Sequence, residues 1–178
     1  MTDVQLSASS LVALSPRALH ALRDRVGAQA LQEAGYAAGE ATFRAFAAWL
    51  PRAAGVDHPA ELAAPRLAEV LSQFFVTLGW GAVQVSSLGE AAVAVDAPAW
   101  AEAAPEAQLQ YPSCFFTAGL LADFMGRLAE ASLAVMEVEC RSKGDARCRW
   151  LVGAPETLGT LYEHMTQGAD YLSVLNAG

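Results

Sequence analysis

Two pairs of short apolar stretches, each folded about a glycine turn, limit this chain more than any other feature. Gly81 to Ser87 and Glu90 to Val95 flank Leu88-Gly89, and Leu133 to Cys140 and Ala146 to Val152 flank Lys143-Gly144-Asp145. Small or β-branched residues alternate with polar ones in each, which is the pattern of an antiparallel hairpin. The stretch between the hairpins is one helix, and no strand-helix-strand rhythm recurs, so a parallel sheet is excluded. The expectation is an α+β fold: a four-stranded antiparallel sheet made of two hairpins, packed against several helices.

The helices are legible from their ends. Leu11 to Leu14 is a short apolar run, after which Ser15-Pro16 opens a helix to about Val26, Ser15 as N-cap and Pro16 in the first position. A longer helical pattern from Ala28 to Leu50 carries Leu31, Phe43, Phe46 and Trp49 near one face, and Pro51 is expected to end it. Gly35 and Gly39 share one side of it, which predicts close approach of another element. A third helix runs from about Ala64 to Leu78, turning Leu67, Val70, Leu71, Phe74 and Phe75 inward. Ala97 to Tyr111 reads as a loop or irregular helix over the sheet. Pro112-Ser113-Cys114 opens a fourth helix to about Ala131 with Ser113 as its cap, and a last helix runs from Pro155 to about Gly168. A chain of 178 residues fits one domain, 1–178.

Charge and composition remove several functions. The net charge is -8 and the basic residues are scattered singly, so no stripe exists to neutralise a phosphate backbone, and no nucleic-acid binding is expected. No uninterrupted apolar stretch reaches the roughly 18 residues a spanning helix needs, so no membrane insertion is expected either. The start, MTDVQLSASS, lacks a basic region leading into an apolar one and predicts no secretory signal, hence a cytoplasmic protein. In a reducing compartment three cysteines are not a disulfide framework.

Those cysteines are the chemistry of the sequence. With a hairpin loop centred on Gly144, residues whose numbers sum to 288 face each other, so Cys140 stands opposite Cys148. Directly opposed side chains have Cβ atoms about 4.5–5.5 Å apart, close enough for both thiolates to reach one ion. Cys114, in the first turn of the fourth helix, is a third ligand, its thiolate favoured by unpaired N–H groups and the helix dipole. Glu137 and Glu139 both compete for the fourth place. Glu139 shares the face of Cys140 in a regular strand, whereas Glu137 needs a bulge at Val138-Glu139 to reach it. The set suits zinc. A cysteine nucleophile would want a partner histidine, and His20, His58 and His164 lie in segments with no such motif, so no catalytic residue is assigned and an enzyme is not expected.

Cys114-Phe115-Phe116-Thr117-Ala118-Gly119-Leu120, then Val135 to Cys140, then Lys143 to Cys148, with Gly35-Tyr36 and Gly39 upstream, resemble the 4-vinyl reductase domain family. That resemblance implies a ligand-binding fold shared with nitric oxide signalling and Golgi transport domains and with TRAPP tethering subunits, commonly as a homodimer. It also implies a zinc ion held by three cysteines and the glutamate three residues before the second, here Cys114, Glu137, Cys140 and Cys148. In aromatic-sensing transcription activators the domain is followed by an ATPase and a DNA-binding segment. This sequence carries neither, so an activator of that type is not expected. For the His and Trp that hold a phenol in those sensors, only His58, Trp80 and Trp100 are candidates.

The function implied is a sensor or carrier domain for an apolar or aromatic small molecule, in a pocket lined by Phe43, Phe46, Phe74, Trp80, Phe115 and Phe116 with zinc at its floor. Two alternatives stand beside it. One is an accessory or carrier protein in reduction of a chlorophyll-precursor vinyl group; the chain has no glycine-rich dinucleotide fingerprint of its own. The other is a dimeric interaction module that presents an apolar groove to a protein partner.

Overall fold

The computed structural model describes residues 14–175, so most of the apolar run at 11–14 lies outside the described residues. Helix α1 (Pro16–Val26) begins where expected, and the Ser15 hydroxyl accepts the N–H of Ala18 at 3.3 Å. Helix α2 (Ala28–Ala54) runs 27 residues, past the proline expected to end it. Pro51 removes one intrahelical donor, but Ala53 and Ala54 on the turn beyond it pack against the core and hold that turn helical. Gly55 stops it instead, its N–H bonding the Pro51 carbonyl from a left-handed conformation with φ 74°. Helix α3 (Ala64–Thr77) follows a short 3-10 turn at Pro59–Glu61.

Strands β1 (Gln84–Leu88) and β2 (Ala92–Ala97) form the first hairpin, both starting two or three residues later than expected. Gly81 has φ +124° and packs under the Ala99 carbonyl, and Val83 gives its N–H to the Ser72 hydroxyl at 3.1 Å, so neither belongs to the ladder. After the loop come α4 (Phe115–Ala129), β3 (Ala134–Glu139), β4 (Cys148–Gly153), α5 (Pro155–Thr166) and α6 (Tyr171–Leu175). Helix α5 ends two residues before Gly168 (φ +92°), close to the expected stop, and α6 is a further short helix that was not expected. The strand order is β1-β2-β4-β3, antiparallel throughout, with the hairpins joined along β2 and β4. The fold is α+β with a four-stranded antiparallel sheet, as the two turns required.

The central strand β4 is buried along its whole length because helices cover both sheet faces. One face meets α2, α3 and α4 through Phe46, Trp49, Phe74, Phe75, Phe124 and Trp150. The opposite face meets α5 and α6 through Ala94, Val138, Leu151, Leu158, Leu161 and Tyr171. On that side Arg149 forms a bidentate pair with Asp96, its direct neighbour on β2, with both bonds at 2.6 Å.

Helices α2 and α4 touch backbone to backbone. A Cβ on Gly35 would stand 2.0 Å from the Phe116 carbonyl oxygen, and one on Gly119 would stand 1.9 Å from that of Gln32. The close approach expected of Gly35 and Gly39 is therefore real, and its partner is α4: Gly39 faces Asp123.

Candidate metal centre

The start of α4 has no local cap. Ser113 does not occupy the cap position expected of it. Cys114 does, and its side chain makes no capping bond. The Ser113 hydroxyl turns instead toward Cys140 Sγ, 3.9 Å away. Two distant carboxylates take the free N–H groups. Glu137 on β3 accepts from Cys114 N at 2.8 Å, and Glu102 in the preceding loop accepts from Phe116 N at 2.9 Å, Thr117 N at 2.7 Å and Thr117 Oγ1 at 2.6 Å. The first N–H groups of a helix have no acceptor within it, and these carboxyl oxygens supply one.

The hairpin supplies the other two thiols. Pairs along β3 and β4 sum to 287 from Ala134↔Gly153 to Glu137↔Trp150, and to 288 at Glu139↔Arg149, with a bulge between Glu137 and Glu139. The one-residue shift is the bulge that parity demanded at Val138-Glu139. It leaves Glu137 on the side of the cysteines. Glu139 turns to the other face, bonded to Arg147 at 3.1 Å and to the Tyr171 hydroxyl. Between the strands a 3-10 turn (Arg141–Lys143) and Asp145, whose Oδ2 accepts the Cys140 N–H at 2.8 Å, fix the loop.

Cys114, Cys140 and Cys148 are all fully buried and free. Cys114 Sγ lies 3.8 Å from Cys140 Sγ and 3.9 Å from Cys148 Sγ, and the four candidate ligand atoms, Glu137 included, fall within 4.8 Å of one another. Thiolates bound about 2.3 Å from a tetrahedral ion stand roughly 3.8 Å apart, whereas a disulfide needs about 2.05 Å. Glu137 Oε1 is buried and has no hydrogen-bond partner among the described residues, while Oε2 is held by Cys114. A thiol set at metal-ligand spacing with one unclaimed carboxylate oxygen beside it fits a cation.

The electrostatics agree. Burial, and next the nearby Cys140 thiolate, push the Glu137 carboxyl up to about 9. Hydrogen bonding with Cys140 and Cys148, and next burial, drive the Cys114 thiol well above its usual value, while Cys140, accepting from Cys114 and from Cys148, is pulled far down. Four ionisable groups in one dry volume thus keep most of their protons, and a divalent ion is what would displace them.

The residues expected to line a pocket divide into two groups. Phe46 and Phe74 are fully buried and meet at 5.2 Å between ring centres, and Phe43 packs edge-on to Phe124 at 5.9 Å. Trp80 stacks on Trp100 at 5.5 Å and on Phe116 at 5.9 Å. Phe75 joins the groups, 5.5 Å from Trp100 and 5.6 Å from Phe124. Phe115 is half-buried beside Cys114, and His58 is exposed at the Pro59 turn. Sequence reasoning missed Glu102, Thr117 and Trp150. Glu102 is 2% exposed in a loop that otherwise reads as filler, and nothing local marks it. Burial lifts its carboxyl to about 7 against the pull of three donors.

Residues 97–154 match the V4R domain family. That V4R segment runs from the end of β2 to the start of α5 and contains all four candidate ligands. No curated protein matches the chain. Among solved structures it is similar to a vinyl-4-reductase family protein from Methanocaldococcus jannaschii, at 17% identity, covering 83% of this chain and 87% of that one, with TM-score 0.54. It is also similar to the phenol-responsive sensory domain of the transcription activator PoxR, solved with phenol, at 17% identity, 85% and 82% coverage and TM-score 0.58. At that identity the likeness is one of fold, and it extends well beyond the V4R segment.

Proposed function

We propose that this chain is a small-molecule-binding domain, a sensor or carrier for an apolar or aromatic ligand, with a structural zinc ion at Cys114, Glu137, Cys140 and Cys148. The observation that carries the zinc is the buried thiol triad at 3.8 and 3.9 Å with the free Glu137 oxygen beside it. Three thiolates and one carboxylate suit tetrahedral zinc, and a complete set of four protein ligands leaves no open position for a substrate. The ion would tie the start of α4 to the β3–β4 loop. Its role is therefore structural, and no enzyme activity is assigned.

The ligand reading draws on the V4R match and on the shared fold with a phenol-responsive sensory domain. Phe43, Phe46, Phe74, Trp80, Phe115 and Phe116 are its proposed contacts, at the joint between helices and sheet. Leu14 before α1, Leu22 and Val26 on α1 and Tyr36 on α2 are exposed, and exposed apolar surface of this kind favours a homodimer. No described helix is long and apolar enough to cross a membrane, and unpaired thiols fit a cytoplasmic setting.

The likeness to a vinyl-4-reductase family protein favours a second reading, a carrier in tetrapyrrole metabolism. One experiment addresses both. Metal analysis and native mass spectrometry of the protein as purified should give one zinc per chain and a bound apolar molecule, and the mass of that molecule separates a small aromatic from a tetrapyrrole. A metal-free, ligand-free protein of full stability would overturn the proposal.

A further inference from the structure

Two consecutive rows of residues cross the sheet in register and face opposite ways. Glu137, Trp150, Val95 and Val85 make one row, on the face of the thiols. Glu139, Arg149, Asp96 and Gln84 make the next, on the face where α5 and α6 pack. The bulge between these rows on β3 decides which acidic residue reaches which face. Glu137 and Cys140 go to the thiols, with Cys140 Sγ 3.8 Å from Cys114 Sγ. Val138, 8% exposed, joins the cluster of Leu151, Leu158, Leu161 and Tyr171 on the other side. Beside it Glu139 accepts from the Tyr171 hydroxyl and pairs with Arg147 at 3.0 Å.

Without the shift, the register of Ala134 to Glu137 would carry on and set Val138 opposite Arg149 and Glu139 opposite Cys148. A one-residue slip turns every later side chain to the other face. Glu139 would then enter the thiol cluster and Cys140 would leave it. The metal set would lose a ligand, and in the same step Tyr171 and Arg147 would lose their carboxylate. A bulge carries a cost, since it leaves one residue outside the ladder. Here two sites on opposite faces depend on one bulge, so whatever tightens either site stabilises the backbone that the other requires.

We propose that the metal centre and the seat of α6 are one linked unit, coupled through the bulge at Val138: an ion on Cys114, Glu137, Cys140 and Cys148 tightens the docking of α6, and docked α6 tightens the ion. This rests on the metal reading above. The element with two positions is α6, five residues long and anchored by its buried Tyr171. Its release would uncover apolar surface around Val138 and Leu151, on the far side of the sheet from the ion. Linkage makes the effect reciprocal: the factor by which the ion favours docked α6 equals the factor by which docked α6 raises affinity for the ion.

The test uses the full chain with zinc as the only added ligand. Chymotrypsin cleavage after Tyr171, mapped by mass spectrometry, should be at least about fivefold faster in chelator-stripped protein than in zinc-loaded protein. Cleavage within α3, which carries neither a metal ligand nor a member of either row, reports on the chain as a whole and should change little. The reciprocal measurement needs no stripped protein. Tyr171→Phe and Glu139→Gln should remain loaded as purified, yet yield zinc to a chelator at concentrations at least about fivefold lower than wild type does. Val70→Ala, a fully buried site in α3, should hold zinc as wild type does. Cleavage at Tyr171 that is indifferent to zinc, in protein that binds one zinc, overturns the linkage and leaves the metal reading standing. So does equal zinc retention in all three variants, or a cleavage increase shared equally by α3. Protein that binds no zinc overturns both.

Discussion

Glu137 accepts the backbone N–H of Cys114 with one carboxylate oxygen and leaves the other without a partner among the described residues. The two oxygens therefore have separable duties, a helix cap and a metal ligand. Glu137→Gln keeps a carbonyl for Cys114 but replaces an anionic ligand with an amide. It should fold, and it should yield its metal to a chromogenic chelator at concentrations at least tenfold lower than wild type does. Cys140→Ser should lose the ion outright and melt on the order of 10 °C lower. Unchanged metal content in Cys140→Ser would remove the ligand assignment.

The α2–α4 contact makes a sharper claim about stability. Gly119→Ala places a methyl group 1.9 Å from the Gln32 carbonyl oxygen, so the helices must separate. The expected cost is about 3 kcal/mol or more, through overpacking. Gly159→Ala in α5 is the control, since nothing lies within 4 Å of the added methyl. There alanine should stabilise by about 0.5–1 kcal/mol. Urea melts of the two variants should move in opposite directions.

Glu102 predicts a pH dependence of defined sign. Its carboxyl titrates near 7 in the folded protein and near 4.5 when exposed, so the folded state holds the proton more tightly. That contribution to stability is fully present below about pH 4.5 and is lost as the pH rises through about 7. The difference is on the order of 3 kcal/mol. Glu102→Gln cannot titrate and offers fewer acceptors to α4, so its absolute stability will be lower. The comparison is of slopes between pH 4.5 and 8. Parallel wild-type and variant profiles would place the Glu102 proton elsewhere.

On the opposite sheet face, Arg149 holds Asp96 with two bonds and also donates to the Tyr171 hydroxyl at 3.0 Å, which itself bonds Glu139. Asp96→Ala removes the bidentate partner of a buried guanidinium, leaving it the Tyr171 hydroxyl and Glu139 at 3.8 Å, and should cost about 3 kcal/mol. Tyr171→Phe should cost only about 1 kcal/mol, because both former partners keep other contacts. Its effect should be local, with faster proteolytic cleavage around 167–175 and an unchanged metal content.

The fold was largely legible because its signals are local: Ser15-Pro16, the turn glycines, and the Gly35 and Gly39 spacing each act within a few residues. The bulge in β3 follows from counting once the resemblance names Glu137 as the ligand, since Glu137 and Cys140 differ by an odd number and yet share a side. What the sequence concealed was set by tertiary contacts. Pro51 reads as a stop, and only the packing of Ala53 and Ala54 carries α2 past it. Ser113 reads as a cap, and only the arrival of Glu137 and Glu102 from 23 and 14 residues away displaces it. The choice between Glu137 and Glu139 shows both sides: spacing leans toward Glu139, the family resemblance chooses Glu137, and the bulge sends Glu137 to the thiols and Glu139 to Arg147.

Because α4 receives its caps from β3 and from the loop at Glu102, the first turn of that helix has no means of stabilising itself while the rest of the chain is unfolded. Its nucleation is coupled to closure of loops, and so to the slow, non-local part of folding. Cys114 reaches its place in the triad only when that first turn forms. During synthesis the three thiols therefore come together late, after the last hairpin has emerged, and until then each is a separate, reactive group.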